Sequence, residues 1–141
     1  MTLKGHVTVA GAPVEAEALV SNQAFGFFGG VNPGTGEVID RWHNLCGQNM
    51  KGKVLIYPEG RGSTVGAAII LELARTGCAP AAILNNANEI ITATGGVLAK
   101  KFYNCDIPML DQFDCDITER IATGDIVKIN PATGEITILQ K

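Results

Sequence analysis

The sequence has 141 residues, 46% of them hydrophobic and 6% aromatic, which is enough apolar material for one core of ordinary size. The 11 basic and 14 acidic side chains give a net charge of −3, and the longest basic block is the pair at 100–101, which argues against a nucleic-acid partner. There is no uncharged apolar run of the about 18 residues that a membrane span needs, and no apolar stretch of a secretory signal near the N-terminus. We therefore expect one domain, residues 1–141, in the cytoplasm and away from membranes.

The beginning of the chain predicts β-structure. Alternating apolar residues in 6–20 indicate two short strands that form a hairpin around the turn Gly-Ala-Pro at 11–13. After the pair Gly29–Gly30, the sequence NPGTGE at 32–37 has typical turn chemistry, so we expect a loop that leads into a short strand at 37–40.

A related phrase returns near the end of the chain. NPGTGEVI at 32–39 is echoed by NPATGEIT at 130–137. In both, Asn-Pro starts a turn and Thr-Gly closes it before a β-branched strand. A shared hairpin turn explains the echo without an internal duplication.

The middle of the chain predicts a β-α-β-α-β run enclosed by hairpins. The apolar segment KVLIYP is bounded by glycine and proline, as is typical of a strand buried on both faces. The next helix carries a broad apolar face and ends at Gly77, whereas the second helix is weakened by the pair Gly95–Gly96. The predicted strands are 53–58, 79–86, 107–110, 126–130 and 135–139, and the predicted helices are 64–77 and 88–102.

The four cysteines show no recognisable ligand pattern. Their spacing matches neither a CxxC zinc motif nor a compact disulfide framework, so we expect reduced thiols and assign no metal to this chain. These residues are Cys46, Cys78, Cys105 and Cys115.

The loop EGRGST at 59–64 is the first candidate site. It follows a buried strand and opens a helix, which is where open α/β folds bind ligands. Free backbone N–H groups, close-approach glycines and the guanidinium of Arg61 together favour an anion such as a carboxylate or a phosphate. The loop fits neither the Walker nor the dinucleotide fingerprint.

Ser63 has two interpretations at this stage. Ser63 or Thr64 can serve as the N-cap of the helix, although a cap leaves Arg61 unexplained. A reactive Ser63 lacks a neighbouring histidine or lysine in the sequence to activate it, so its activation would have to come from elsewhere.

The second cluster to consider is His43 beside Trp42. A single histidine next to a tryptophan is more often a structural residue than a proton carrier, and both interpretations stay open. We expect His6 on the surface. Solvated turns explain the remaining acidic cluster better than a calcium loop does. This cluster is formed by Asp106, Asp111, Asp114 and Asp116.

A combination of motifs then carries a resemblance. GGV-N-P-x-T-G, I-D-x-x-H, K-V-L-x-x-P, G-R-G-S-T and A-P-A-A-I together resemble the small, swivelling subunit of the aconitase X family over roughly residues 5–139. The resemblance implies an α/β fold, namely a swivelling β/β/α domain with a barrel-like mixed sheet and flanking helices. It also implies a large catalytic subunit as the partner, either separate or fused.

The same resemblance implies a hydro-lyase, active with its large subunit, that removes a proton and a hydroxide from a small hydroxy acid. An iron–sulfur cluster or iron would be held by the large subunit. Ser63 inherits the role of catalytic base, and the positive field of Arg61 and of the helix N-terminus would favour its deprotonation. Arg61, Gly62 and Thr64 would bind the substrate carboxylate or phosphate, and His43 is a further candidate.

The family divides by substrate between mevalonate 5-phosphate and cis-3-hydroxy-L-proline. GRGSTVG is similar to the mevalonate type, whereas the longer segment at 95–110 is more like the hydroxyproline enzymes, and GGVN departs from the commoner GGVD. We expect hydroxyproline, with mevalonate 5-phosphate as the alternative.

A rival hypothesis from another class is a non-catalytic assembly module that binds an anion. In the two-subunit case, we expect Phe25, Phe27 and Phe28 either to face the partner or to pack in the core.

Overall fold

The computed structural model describes residues 2–60, 64–87 and 90–140. Strands and helices follow one another along these ranges with short connections, apart from an irregular segment at 21–53. The strands are β1 (Thr2–Lys4), β2 (His6–Val9), β3 (Val14–Val20), β4 (Val54–Ile56), β5 (Ala82–Leu84), β6 (Met109–Asp111), β7 (Ile126–Asn130) and β8 (Glu135–Gln140). The helices are α1 (Thr64–Thr76), α2 (Ile90–Tyr103) and α3 (Ile117–Arg120).

These strands form one mixed, barrel-like sheet in the order β1-β8-β7-β3-β4-β5-β6-β2. Neighbours from β3 to β6 run parallel, and the other pairs are antiparallel. Only Gly5 separates β1 from β2, and its N–H donates a hydrogen bond to Gly134 O at 2.9 Å. Residues 2–9 therefore pair with β8 at one end of the sheet and with β6 at the other, which nearly closes the barrel.

The sheet separates two apolar layers. In β4, Val54 and Ile56 belong to an inner core that is closed by α3, while Leu55 lies in an outer core beneath α1 and α2. Because successive side chains of a strand point to opposite faces, a parallel strand covered on both sides reads as a continuous apolar run. The expectation of a doubly buried strand at β4 is confirmed, and all residues of β5 and β6 are buried as well.

The pair Gly95–Gly96 lets α2 approach both of its neighbours closely. A Cβ at Gly95 would lie 3.0 Å from the side chain of Ile70 on α1, and a Cβ at Gly96 would lie 2.7 Å from Cε of Met109 on β6. The pair lowers intrinsic helix propensity, but tertiary packing compensates for it. The helix predicted at 88–102 is confirmed as α2.

Two predictions about the N-terminal half are wrong. The strands on either side of 11–13 do not form a hairpin, because β2 pairs with β6 while β3 pairs with β4 and β7. No strand forms at 37–40, where the structure describes only isolated bridges, such as the one between Val31 and Val38. The β7–β8 hairpin and the β-α-β-α-β run are confirmed, whereas β1 and α3 were not predicted.

Candidate functional site

The described ends of the candidate loop, residues 59–60 and 64, lie where the parallel strands end and the two long helices begin. Strand β4 leads into the loop and α1 begins at Thr64. Arg61, Gly62 and Ser63 lie outside the described residues, and of Thr64 only the backbone is described. The predicted roles of these four residues therefore stay predictions.

The entry to this loop is held from both sides. On one side, the N–H of Phe25 donates to Glu59 O at 3.1 Å, and Phe25 forms a parallel bridge with Gly60. On the other side, the N–H groups of Asn86 and Ala87 donate to Pro58 O at 3.0 and 3.3 Å. Segments that continue β3 and β5 thus fix the backbone up to residue 60.

Polar residues also stand at the ends of the neighbouring parallel strands. Ser21 follows β3, Asn85 follows β5 and Asp111 is the last residue of β6, and all three are buried. Asn86, next along, donates from Nδ2 to Asp116 Oδ1 at 2.9 Å and accepts the N–H of Ile117 at 2.9 Å. Sequence reasoning missed Ser21, Asn85 and Asn86, although Ser21 and Asn85 directly follow buried strands as the loop does, and it assigned Asp111 to a solvated turn.

The acidic cluster divides into two environments. The Asn86 amide, together with hydrogen bonds from Thr118, holds the pKa of Asp116 below its ordinary value. Asp116 is exposed and caps α3, in agreement with a solvated turn. Asp111 is instead buried, with its Oδ1 3.2 Å from Nδ1 of His6, so the prediction of a solvated turn is wrong there because β2 covers β6. The His6 side chain itself is exposed, as predicted.

His43 is buried, with 5% of its surface exposed, and both of its ring nitrogens have partners. The N–H of Leu45 donates to Nδ1 at 3.2 Å, and Nε2 lies 3.4 Å from Oγ of Ser21. An Nδ1 that accepts an N–H carries no proton in the neutral ring, so the proton is assigned to Nε2, which donates to Ser21. The pair therefore lacks the proton arrangement of a serine nucleophile with its histidine base.

The three phenylalanines expected at a partner surface have different environments. Phe25 and Phe27 are only 1% and 3% exposed and stack edge-to-face with a centroid distance of 5.0 Å, so core packing, one of the two expected alternatives, is confirmed for them. Phe28 is 64% exposed, and Trp42 is 91% exposed. Ile39, exposed as well, bonds through its N–H to Gly30 O at 2.9 Å. We call Phe28, Ile39 and Trp42 the apolar patch.

The cysteines show the range of environments expected of free thiols. Cys78 is buried, Cys46 is exposed and Cys105 is half-buried. The pKa of the Cys105 thiol is raised, mainly by burial and to a smaller extent by the charge of Asp106. Within residues 2–60, 64–87 and 90–140, no group of three or more His, Cys, Asp or Glu side chains could hold a metal ion. Over the same ranges, no helix has the length and apolar character to cross a membrane.

The mixed, nearly closed sheet with α1 and α2 on its outer side defines a β/β/α domain with a barrel-like sheet. The family model of the aconitase X swivel domain matches residues 2–138, and the chain belongs to this family. The resemblance seen in the sequence motifs is thereby confirmed.

Individual proteins with known names or structures are similar to this chain as well. The phosphomevalonate dehydratase small subunit of Methanopyrus kandleri is 48% identical over 119 residues, which cover 84% of each chain. The protein of the same name from Methanocella arvoryzae is 43% identical over 138 residues, 98% of this chain and 99% of the relative. The crystal structure of Thermococcus kodakaraensis aconitase X in its holo-form has a TM-score of 0.89 at 38% identity and covers 99% of both chains. The solution NMR structure of a UPF0107 protein has a TM-score of 0.87 at 32% identity, covering 99% of this chain and all of that one.

Proposed function

We propose that the chain is the small subunit of a phosphomevalonate dehydratase. The observation that carries the proposal is its 43% identity over nearly its whole length to a relative of that name. The expectation of cis-3-hydroxy-L-proline as the substrate finds no support among the relatives described above, so mevalonate 5-phosphate takes its place. The longer segment at 95–110 forms most of α2, the connection that follows it and the first two residues of β6.

In this proposal, the Ser63 alkoxide takes a proton from the substrate carbon next to the carboxylate. The hydroxide on the neighbouring carbon leaves with its electron pair, a carbon–carbon double bond forms, and one water is released in total. Arg61, Gly62 and Thr64 hold the phosphate or the carboxylate. The start of a 13-residue helix at Thr64 supports this assignment, because unpaired N–H groups and the helix dipole favour an anion there.

The departing hydroxide needs an acceptor that the described residues do not provide. We assign the iron–sulfur cluster or iron to the large subunit, as the family resemblance implies. When bound, such a group supplies a Lewis acid for the hydroxide. This chain contributes the base and the anion site, and neither subunit is sufficient alone.

The first experiment measures dehydration by the two-subunit complex with mevalonate 5-phosphate and, in parallel, with cis-3-hydroxy-L-proline. Ser63→Ala lowers kcat by about 10²-fold to 10⁴-fold, the usual cost of losing a proton-transfer group. Arg61→Ala mainly raises KM. Subunit association and iron content, measured on the same samples, provide the control.

Three results decide the matter. An unchanged rate of dehydration in Ser63→Ala would contradict the assignment of Ser63 as the base. Turnover of cis-3-hydroxy-L-proline without turnover of mevalonate 5-phosphate would contradict the assignment of the substrate. A third result would identify the chain as an assembly module that binds anions. In that case the isolated chain binds inorganic phosphate, Arg61→Ala weakens this binding, and Ser63→Ala does not change it.

The apolar patch is the surface that we assign to the large subunit. Phe28 of the patch follows Phe25 by three positions, and the backbone of Phe25 pairs with Glu59 and Gly60 at the entry of the candidate loop. The chemistry proposed for the loop requires the partner to be close. Trp42→Ala weakens association by about 30-fold, the effect of an interface hot spot of about 2 kcal/mol, while the free energy of unfolding of the isolated chain stays within about 0.5 kcal/mol.

The matched control for Trp42→Ala is Phe102→Ala. Phe102 is also an exposed aromatic residue, but it lies near the C-terminus of α2, at the opposite end of the helix from the loop. Association is measured by titration of the labelled large subunit. Equal loss in the two variants would contradict the assignment of the patch.

A further inference from the structure

Residues 21–25, which we call the strap, form a bridge between the candidate loop and the buried His43. The N–H of Ser21 donates to Ile56 O at 2.9 Å, and the N–H of Phe25 donates to Glu59 O at 3.1 Å. The strap thus runs parallel to the chain that leaves β4 and accompanies it as far as Gly60. The backbone just before residues 61–63 takes its position from the strap.

The strap is held in turn by residues 43–45, which we call the clamp. Ser21 donates its hydroxyl hydrogen to Asn44 Oδ1, the nearest acceptor at 2.6 Å, and accepts from Nε2 of His43. The N–H of Asn44 donates to Oε1 of Gln23 at 2.8 Å, and its Nδ2 donates to Oδ1 of Asn22 at 2.9 Å. Four hydrogen bonds therefore join two segments that are about 20 residues apart in the sequence.

Within the clamp, His43 has a place that few other side chains could fill. One ring nitrogen accepts the N–H of Leu45, the other donates to Ser21, and the ring packs edge-to-face on Phe25 with a centroid distance of 5.3 Å. A buried polar group must have its hydrogen bonds satisfied, so loss of the ring would leave partners unpaired on both sides. The hydroxyl of Ser21 also accepts the N–H of Gln23 at 3.0 Å, and its bonding capacity is filled.

We propose that His43 is a positioning residue of the candidate site and that it acts through Ser21 and Phe25 to fix the backbone at Glu59–Gly60. It does not carry a proton in the reaction. This inference rests on the proposed function, because the loop that it positions is the one that holds the proposed base. A misplacement of about 1 Å at a catalytic group can cost about 10²-fold in rate, so a remote residue of this kind has a measurable effect.

The test uses the two-subunit complex and the variants His43→Phe and His43→Gln. His43→Phe keeps a ring against Phe25 but loses both hydrogen bonds, and it lowers kcat by about 10-fold to 100-fold with a smaller change in KM. The pH–rate profile keeps its shape, and the N–H of Phe25 exchanges with deuterium faster. His43→Gln retains a donor for Ser21 and recovers to within about fivefold of the original kcat.

The control is His6→Phe, the same change at the only other histidine of the sequence, whose side chain is exposed. It leaves kcat and the exchange of Phe25 unchanged. If His43→Phe folds too poorly, Ser21→Ala breaks the same link from the other side, and the double variant Ser21→Ala with His43→Gln is no worse than the worse of the two single changes.

Three results would overturn the inference. They are an unchanged kcat in His43→Phe, the loss of an ionisation from the pH–rate profile, which would make His43 a proton carrier, and a fall in kcat with no faster exchange at Phe25. The exchange measurement needs no turnover. It therefore still reports on the strap if Ser63→Ala disproves the proposed function.

Discussion

Two segments with almost the same sequence, NPGTGE at 32–37 and NPATGE at 130–135, fold into the same turn in different parts of the molecule. In each, the Asn side chain accepts the N–H two residues on, the Asn carbonyl accepts two N–H groups, and the Thr hydroxyl accepts the N–H of Glu. The hydrogen bond of the Asn side chain is 2.9 Å long in the first turn and 3.1 Å in the second, and that of the Thr hydroxyl is 3.3 and 3.4 Å. The two hydrogen bonds of the Asn carbonyl are 3.2 and 2.8 Å in the first turn and 3.3 and 2.9 Å in the second.

The surroundings give these two turns different roles. The first turn belongs to the irregular segment at 21–53 and is fastened to the end of α1, where Thr76 Oγ1 donates to Pro33 O at 2.7 Å. The second turn joins β7 to β8 and accepts the N–H of Gly5, so it closes the barrel. Local sequence thus determines the turn, whereas its contacts determine what the turn holds together.

The largest expected effect comes from replacing the last glycine of each turn with alanine. Gly36 and Gly134 have φ values of 81° and 79°, which cost a side chain about 1–2 kcal/mol each. A Cβ at Gly134 would overlap the carbonyl oxygen of Gly5, while one at Gly36 would lie 2.8 Å from Oδ1 of Asn49 and 2.9 Å from the carbonyl oxygen of Cys78. Because the overlap at Gly134 is deeper and involves backbone, Gly134→Ala lowers the free energy of unfolding by about 4 kcal/mol and Gly36→Ala by about 2 kcal/mol.

Urea denaturation of the two glycine variants measures the difference. Equal losses would mean that closure of the barrel at Gly5 carries no more of the stability than the attachment of the first turn does.

A smaller effect is expected from Thr76→Val, which removes a partner that only the first turn has. Loss of the hydroxyl leaves Pro33 O without this hydrogen bond and costs about 1 kcal/mol. Deuterium exchange at the N–H of Gly36 becomes faster, and exchange at Gly134 does not change. Thr94→Val is the matched control, since the hydroxyl of Thr94 donates within α2 to Ile90 O. Faster exchange in both turns would contradict their independence.

The smallest effect is expected from Asn32→Ala and Asn130→Ala. Each change removes one exposed hydrogen bond from the Asn side chain to the turn backbone, so each lowers the free energy of unfolding by about 0.5–1 kcal/mol. The two losses agree within about 0.5 kcal/mol when measured by thermal unfolding. A clear inequality would show that the surroundings act even on the hydrogen bonds that the two turns share.

The sequence predicts structure that depends on neighbouring residues better than structure that depends on contacts between distant residues. Strand β4, helix α1 with its end at Gly77 and the hairpin of β7 and β8 follow from nearby residues, and all three are present. At the end of α1, the N–H groups of Gly77 and Cys78 bond back to Ala74 O and Leu73 O. Strand partners were less predictable, because β2 pairs with β6 about 100 residues later and not with β3.

The candidate site shows a similar limit. The loop at 59–64 could be found from the sequence, because its glycines, its arginine and the strand before it are adjacent. The contact between Ser21 and His43 could not, since 22 residues of mostly irregular chain separate them. Phe25 and Phe28 have the same residue type three positions apart, and only the three-dimensional packing tells the buried one from the exposed one.

The pairing of β1 with β8 also bears on the order in which the protein is made. Strand β1 is made before the other described strands and pairs with the last of them, and β3 pairs with β7, more than 100 residues later. At synthesis rates of about 5–20 residues per second, the N-terminal strands wait for several seconds before their partners emerge. During translation the barrel therefore stays open, and the parallel core of β3, β4, β5 and β6 is the part that can assemble first.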